Sequence, residues 1–383
     1  MREGDAARRA PKKRKPKLDL SREYGIVLEG GGARGSYQIG VWRALSDAGI
    51  RIRGISGASV GALNGALMCQ KDLLRAEKLW SSIRYEEVLS GTEKLLSALS
   101  AARGKEKRTE LFGILEGGGA LDVLHEASAF IRDGGFDIAP LKKLIAGNID
   151  PEKIRESDRE FYVVTFDLEK KRELTIDMRK LPAEEIGDML LASAYLPVFQ
   201  QEKLLGRHFL DGGILNSVPV DVLLERGYEH IIVIRIGGIG ITRPVHAKKG
   251  TKLYEVAPED DLGGLLEFEK GRARSNMRLG YFDGLRLLYG LYGSLYYFDC
   301  DKAEASCLDF SRMEELGKAL SLDRFHIWKP QAFIRALRRA DEERQKTGEA
   351  SVFLEDSCKS GFLGRILKGT IGKSDRSHHG IKK

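Results

Sequence analysis

The sequence predicts an α/β fold: a mostly parallel central sheet flanked by helices, with helical insertions. Three observations predict it. The stretch from Tyr24 to Gln70 reads strand, glycine-rich turn, helix, strand, tight turn, helix. Its two strands are short apolar runs that end in glycine, the pattern of parallel strands buried on both faces. Further on, "VPVDVLLERGYEHIIVIRIGG" gives a helix, a turn and a β-branched strand.

The elements follow in chain order. Residues 1–20 are basic and Pro-bearing and read as a disordered tail. The first strand covers Tyr24–Leu28. The helix after it carries Ile39, Val41, Trp42 and Leu45 near helical spacing and stops at Gly49. A second strand, roughly Ile52–Ser56, makes this a right-handed βαβ unit. Residues 71–160 look helical and more polar, and "SAARGKEKRTELFGILEGGG" within them reads as a mobile insertion. "REFYVVTFDLEKKRELTIDM" is two β-rich runs around a charged turn, hence a hairpin. "PAEEIGDMLLASAYLPVF" is a helix with Pro182 in its first turn that ends before Pro197. "RHFLDGG" is a short strand closing on a glycine turn. The domain organisation expected is a tail over 1–20, a catalytic domain over 21–240, a helical extension over 241–358 packed on it or continuous with it, and a basic amphipathic tail over 359–383.

Composition narrows the class. The chain has 383 residues, 42% apolar and 31% charged, which suits a globular protein with a large core. Residues 1–17 hold eight Lys/Arg against two acids, and residues 359–383 hold seven against one. The stretch between therefore carries a net −5 of the total +7. Two basic tails on an acidic body point to an anionic partner for the tails, not for the body. Without a structured basic domain, sequence-specific nucleic-acid recognition is not expected. The four cysteines show no metal-ligand spacing and read as reduced thiols of a cytoplasmic protein. No secretory signal and no apolar stretch long enough to span a bilayer is read, so a membrane would be met at its surface.

Two glycine-rich turns carry the chemistry. Gly57-Ala58-Ser59-Val60-Gly61 is a G-x-S-x-G pattern between a strand and a helix. A serine on so sharp a turn sits at strained angles and needs small neighbours; Ser59 reads either as a nucleophile whose hydroxyl faces the helix N-terminus or as a small residue in a tight turn. Gly30-Gly31-Gly32-Ala33-Arg34-Gly35 also follows a strand and opens a helix. A dinucleotide fingerprint would need an acid at the end of the next strand, and that strand ends in Ile55-Ser56-Gly57. A P-loop would need Gly-Lys-Ser/Thr. The third reading is an oxyanion hole, with glycine amides free to converge beside Ser59. Arg34 reads either as a group that steers an anionic head group or as a structural ion-pair partner. Among the histidines none sits in a turn after a strand. His208 precedes Asp211 by three residues, which alternation points to the opposite face. Asp211 ends a strand ahead of Gly212-Gly213 and reads either as a carboxylate placed at a rim or as a plain β-turn aspartate.

Taken in order, Gly30–Gly35, Gly57–Gly61 and Asp211-Gly212-Gly213 resemble the patatin-like phospholipase family, whose pattern is G-x-G-x-x-G, then G-x-S-x-G, then D-G-A/G. "AEKLW" and "LLASAYLPVFQQ" are similar to family stretches too, and the resemblance covers about 24–240. It implies a patatin-like three-layer fold and a Ser-Asp dyad without histidine. Ser59 would be the nucleophile and Asp211 the proton acceptor, with the amides around Gly31, Gly32 and Ala33 binding the oxyanion. It implies an acyl-enzyme, no metal, no cofactor, and a phospholipid or other lipid ester as substrate. Glu29 stands where many members have Asp or Ser. The alternative kept open is a catalytically inactive lipid- or nucleotide-binding α/β domain.

For the lipid itself, "LRLLYGLYGSLYYF" (285–298) reads as core packing or as the lining of an acyl channel. "GFLGRILKGTIGK" (361–373) reads as a basic amphipathic segment able to rest on anionic lipid, or as a solvated tail. The basic N-terminal run adds attraction to an anionic membrane, or serves as a localisation signal. Oligomeric state is not legible.

Overall fold

The computed structural model describes residues 15–88 and 136–352. The insertion expected over 100–119, the amphipathic tail over 359–383 and most of the N-terminal tail lie outside the described residues. The described chain forms two compact units, one running to Gly290 and one from Leu291 onward.

The first unit is built on a seven-stranded, mostly parallel sheet. Its strands are β1 (Glu23–Leu28), β2 (Arg51–Ala58), β3 (Glu160–Asp167), β4 (Arg172–Asp177), β5 (Phe209–Asp211), β6 (His230–Ile234) and β7 (Lys252–Val256). The order is β4-β3-β2-β1-β6-β7, and β5 pairs with β3. β1, β2 and β6 are almost wholly buried, as expected where both faces are covered. The edges are polar. β4 carries Arg172, Glu173 and Asp177, and β7 carries Lys252 and Glu255, charges that discourage further strand pairing. Helices flank the sheet. α1 (Ser36–Asp47) and α2 (Val60–Cys69) close the two βα turns, followed by α3 (Leu73–Ser82), α4 (Ala139–Asn148), α5 (Pro151–Arg155) and α6 (Ala183–Ser193). The short α7 (Gly212–Leu215) precedes α8 (Val220–Glu225), whose Val220, Val222 and Leu223 pack on Val27, Val164 and Ile231 of the sheet. Each such fully buried aliphatic side chain contributes about 1.5–3 kcal/mol relative to exposure.

Two features place the site. β1 lies between β2 and β6, so the chain reverses its direction across the sheet at β1. The carboxyl ends of strands at such a reversal open a crevice. The second feature is the register on β3. β2 pairs with it as far as Ala58↔Val164, and the next position, Thr165, pairs with Asp211 of β5. β4 occupies the other edge of β3 from Tyr162 to Asp167. β5 therefore continues the line of β2, and Asp211 fills the slot that β2 vacates as it turns into Ser59.

The expected hairpin over 159–178 is β3–β4, and the helix after Pro182 is α6. Beyond residue 240 the chain continues the first unit. β7 pairs in parallel with β6, and α9 (Lys270–Tyr289) packs along α1, where Tyr37 Oη donates to Asp283 Oδ2 at 2.7 Å. Both elements therefore belong to the first unit, which ends at Gly290. Leu285 and Leu288 are buried within that packing.

The second unit holds α10 (Lys302–Ser306), α11 (Phe310–Ala319), α12 (Pro330–Lys346) and a two-stranded parallel pair, β8 (Tyr297–Phe298) with β9 (Ile327–Trp328). Tyr296, Phe298, Met313, Leu316, Phe333 and Leu337 form its core. Glu314, buried there, accepts the amides of Ser294, Leu295 and Tyr296 at 2.8–2.9 Å. Among the described residues no helix is long and apolar enough to cross a membrane.

Candidate active site

Ser59 is the single residue between β2 and α2, and its backbone sits at φ 54°, ψ −128°. A residue with a side chain held there costs on the order of 1–3 kcal/mol and persists only when its surroundings over-determine it. Gly61 makes the turn feasible. A Cβ at that position would lie 2.3 Å from the Leu28 carbonyl oxygen, so only glycine lets α2 start this close to the end of β1.

Ser59 Oγ donates to Asp211 Oδ2 at 2.5 Å, although 152 residues separate the two in sequence. The other carboxylate oxygen, Oδ1, accepts the Gly213 amide at 2.7 Å. Asp211 is 2% exposed and Ser59 is 8% exposed. Burial pushes the Asp211 carboxyl up to about 7, while the hydrogen bonds from Ser59 and Gly213 pull it down. Asp211 is itself held by its amide, which donates to the Tyr195 carbonyl at 2.9 Å. Beside it, the buried Thr165 hydroxyl donates to the carbonyls of Ala192 at 2.8 Å and Leu210 at 3.2 Å.

The glycine turn after β1 closes on the same point. A Cβ at Gly30 would lie 3.2 Å from Ser59 Cβ and 3.5 Å from Gly213 Cα. The three motifs are thus in van der Waals contact. Gly30 is fixed by its amide, which donates to the Ser217 carbonyl at 3.0 Å. Gly31 leads into a single 3₁₀ turn, Gly32–Gly35, that continues as α1. Among the described residues the amides of Gly31 and Gly32 have no acceptor. The Ala33 amide, expected to share the oxyanion role, donates instead to the Leu265 carbonyl at 2.7 Å. That bond commits Ala33 to holding the 262–269 loop.

Among the described residues the half-buried Arg34 pairs with no acid and donates to backbone carbonyls instead. Its Nε donates to the Gly263 carbonyl at 2.7 Å and its Nη1 to the Gly237 carbonyl, so it staples two loops to the glycine turn. Glu29, 1% exposed, accepts the amides of Ile236 and Gly237 and pairs with Arg235 at 3.2 Å. The same strap is held from the other side.

A narrow apolar cavity of about 70 Å³ opens at Ser59 and Gly32. Val60, Leu63, Leu67, Trp80, Leu141 and Phe199 form part of its wall. Trp80 is set by two contacts: its Nε1 donates to Asn64 Oδ1 at 2.9 Å, and its ring stacks on Phe268. Leu285–Phe298, weighed as an acyl lining, supplies none of this wall.

The described histidines stand elsewhere. His208 Nδ1 lies 2.8 Å from Glu169 Oε1 at the surface, and His230 neighbours Arg22 and Tyr254. His125, His378 and His379 lie outside the described residues. Among the described residues no group of three or more His, Cys, Asp or Glu side chains could hold a metal ion.

Sequence reasoning missed Ser193. Its hydroxyl accepts the Ser59 amide at 3.0 Å and donates to the Val164 carbonyl at 2.6 Å. The available signal was a serine at a helix end within "LLASAYLPVF", just before Pro197. The cavity wall was illegible for another reason: it is assembled from side chains far apart in the chain.

A family model described as patatin-like phospholipase matches residues 26–224. The chain is 29% identical over 213 residues to Neuropathy target esterase sws of Drosophila melanogaster, covering 56% of this chain and 13% of that protein. It is 61% identical over 223 residues to Lysophospholipase nte1 of Aspergillus terreus, covering 58% of this chain and 12% of that protein. The chain therefore spans only a small fraction of the length of the curated relatives it matches. The solved structure of VipD from Legionella pneumophila superposes with a TM-score of 0.40 at 16% identity, covering 93% of this chain and 81% of that one.

Proposed function

This chain belongs to the patatin-like phospholipase family, and we propose that it is a serine acyl hydrolase that cleaves a lipid ester by way of an acyl-enzyme. The observation that carries the reading is the 2.5 Å hydrogen bond from Ser59 to a buried carboxylate at the mouth of an apolar cavity.

The chemistry follows from that arrangement. A carboxylate is too weak a base in water to activate a serine. Burial raises the Asp211 carboxyl to about 7, near the pH at which it must accept and return a proton. Ser59 Oγ attacks the ester carbonyl while its proton passes to Asp211 Oδ2. Charge develops on the carbonyl oxygen, where the Gly31 and Gly32 amides donate to it. Collapse expels the alcohol, which takes the proton from Asp211, and the acyl group stays on Ser59. Water then attacks the acyl carbonyl and loses a proton to the same carboxylate; as the Oγ–acyl bond breaks, Asp211 returns that proton to Ser59 Oγ and the fatty acid is released. The acyl chain lies along Leu63, Leu67, Trp80 and Phe199, where apolar contact holds it at about 0.8 kcal/mol per buried methylene. The substrate class is a lipid ester, in line with the lysophospholipase and esterase names of the relatives. The basic tails supply the charge to rest on an anionic lipid surface.

Purified chain incubated with lysophosphatidylcholine is expected to release fatty acid, measured by mass spectrometry, and Ser59→Ala is expected to release none. Wild-type protein without hydrolysis on lysophospholipid, diacyl phospholipid and short-chain esters would return the chain to a binding role. Full activity in Ser59→Ala would move the nucleophile elsewhere.

A further inference from the structure

We propose that Ser193 is a positioning residue for the nucleophile: its hydroxyl sets the peptide between Ala58 and Ser59 and so fixes the line along which Oγ meets Asp211. The inference rests on the reading of Ser59 as nucleophile.

The need for such a group follows from the register. β2 pairs with β3 only as far as Ala58↔Val164, because Asp211 takes the next position opposite Thr165. The Ser59 amide has therefore lost its strand partner inside a buried turn. An N–H left unpaired there is costly. Ser193, the last residue of α6 and fully buried, replaces the missing strand. Its Oγ accepts the Ser59 N–H at 3.0 Å, and its own O–H donates a hydrogen bond to the Val164 carbonyl at 2.6 Å. One hydroxyl thus ties the nucleophile turn to β3.

That tie bears on catalysis through geometry. Ser59 is held at φ 54°, and its carbonyl is already engaged by the Ala62 and Leu63 amides of α2. With both ends of the residue pinned, the Cα–Cβ bond has a fixed direction, and the hydrogen bond to Asp211 selects the position of Oγ among its staggered rotamers. Asp211 is referenced to the same strand through Thr165, so both halves of the pair take their position from adjacent residues of β3. Without the Ser193 hydroxyl, the Ala58–Ser59 peptide is free to rotate and Oγ drifts from the carboxylate. The Ser59 amide is also spent on this bond and is not free to donate to an oxyanion.

The test compares two buried hydroxyls in the full-length chain. Ser193→Ala removes the tie. Ser56→Ala removes an equally buried hydroxyl on β2 that donates to the Pro219 carbonyl at 2.8 Å and does not touch Ser59. Both variants are expected to melt at lower temperature. Only Ser193→Ala is expected to slow fluorophosphonate labelling and kcat, by about 10- to 100-fold, as a misaligned reacting group does, with KM unchanged because the cavity wall is intact. Ser193→Cys keeps a weaker donor and acceptor in place and is expected to label at an intermediate rate; it is read in place of Ser193→Ala should the latter not fold. Wild-type labelling in a folded Ser193 variant, or an equal loss in Ser56→Ala, overturns the positioning role and leaves the reading of Ser59 standing. Wild-type protein that neither labels nor hydrolyses esters removes the premise, and the inference with it.

Discussion

Asp211→Asn is expected to abolish ester hydrolysis while making the folded chain more stable above neutral pH. The carboxyl is raised from the ordinary 3.8 to about 7 by burial. Below about pH 4 it is neutral in both the folded and the unfolded chain and contributes no difference. Between pH 4 and 7 the folded chain keeps a proton that the unfolded chain has released, so stability falls as pH rises. The shift spans roughly three pH units at about 1.36 kcal/mol each, so the ionised carboxylate costs the fold about 4 kcal/mol above pH 7. Asparagine carries no such cost, although its weaker hydrogen bonds to Ser59 and Gly213 return about 1 kcal/mol of the gain. Urea denaturation of both proteins at pH 5, 6, 7 and 8, followed by circular dichroism, measures the difference. Comparison at each pH cancels every other titrating group. The stability of the variant relative to wild type is expected to climb through this range and level off above pH 7. A difference independent of pH, or one that shrinks as pH rises, would refute the claim that Asp211 is a buried carboxylate held near neutrality.

The same ionisation predicts a rate profile: kcat/KM on a p-nitrophenyl ester should rise with an apparent pKa near 7 and plateau above it, because only the ionised Asp211 accepts the serine proton. A profile flat from pH 5 to 9 would contradict this. His208→Ala and His230→Ala should each keep near-wild-type activity, since the two rings contact Glu169 and Arg22 rather than the serine; a folded but inactive variant in the same assay would require a histidine in the mechanism. Gly61→Ala should destabilise the chain by about 1–3 kcal/mol, as overpacking does, because its Cβ would press on the Leu28 carbonyl oxygen at 2.3 Å. A thermal melt at wild-type temperature would show that α2 can move away from β1.

Much of this was legible in the sequence, for identifiable reasons. Strands buried on both faces tend to be apolar runs, and Ile26–Leu28 of β1 and Ile231–Ile234 of β6 announce themselves that way, while β2 shows it only from Gly54 onward. Turns that need glycine for close approach show it, so Gly30 and Gly61 mark the two loops that meet at Ser59. What escaped was set by tertiary context. β7 is an edge strand that carries Lys252 and Glu255 on opposite faces, so its place in the sheet left no clear apolar signature. The Ala33 amide resembles its glycine neighbours in sequence, yet Leu265, 232 residues on, claims it. Ser193 is one small residue in an apolar helix, and its role depends on where β2 stops pairing with β3.

The account stands on Ser59 passing its proton to Asp211 as it takes up an acyl group. Rapid acid quench of a single turnover with lysophosphatidylcholine, followed by peptide mass spectrometry, observes that step directly. A fatty acyl group on the peptide that contains Ser59, present in wild type and missing from folded Asp211→Asn, is the predicted result. An acyl group on another residue, or one that forms on Ser59 at the wild-type rate without the Asp211 carboxylate, would contradict it.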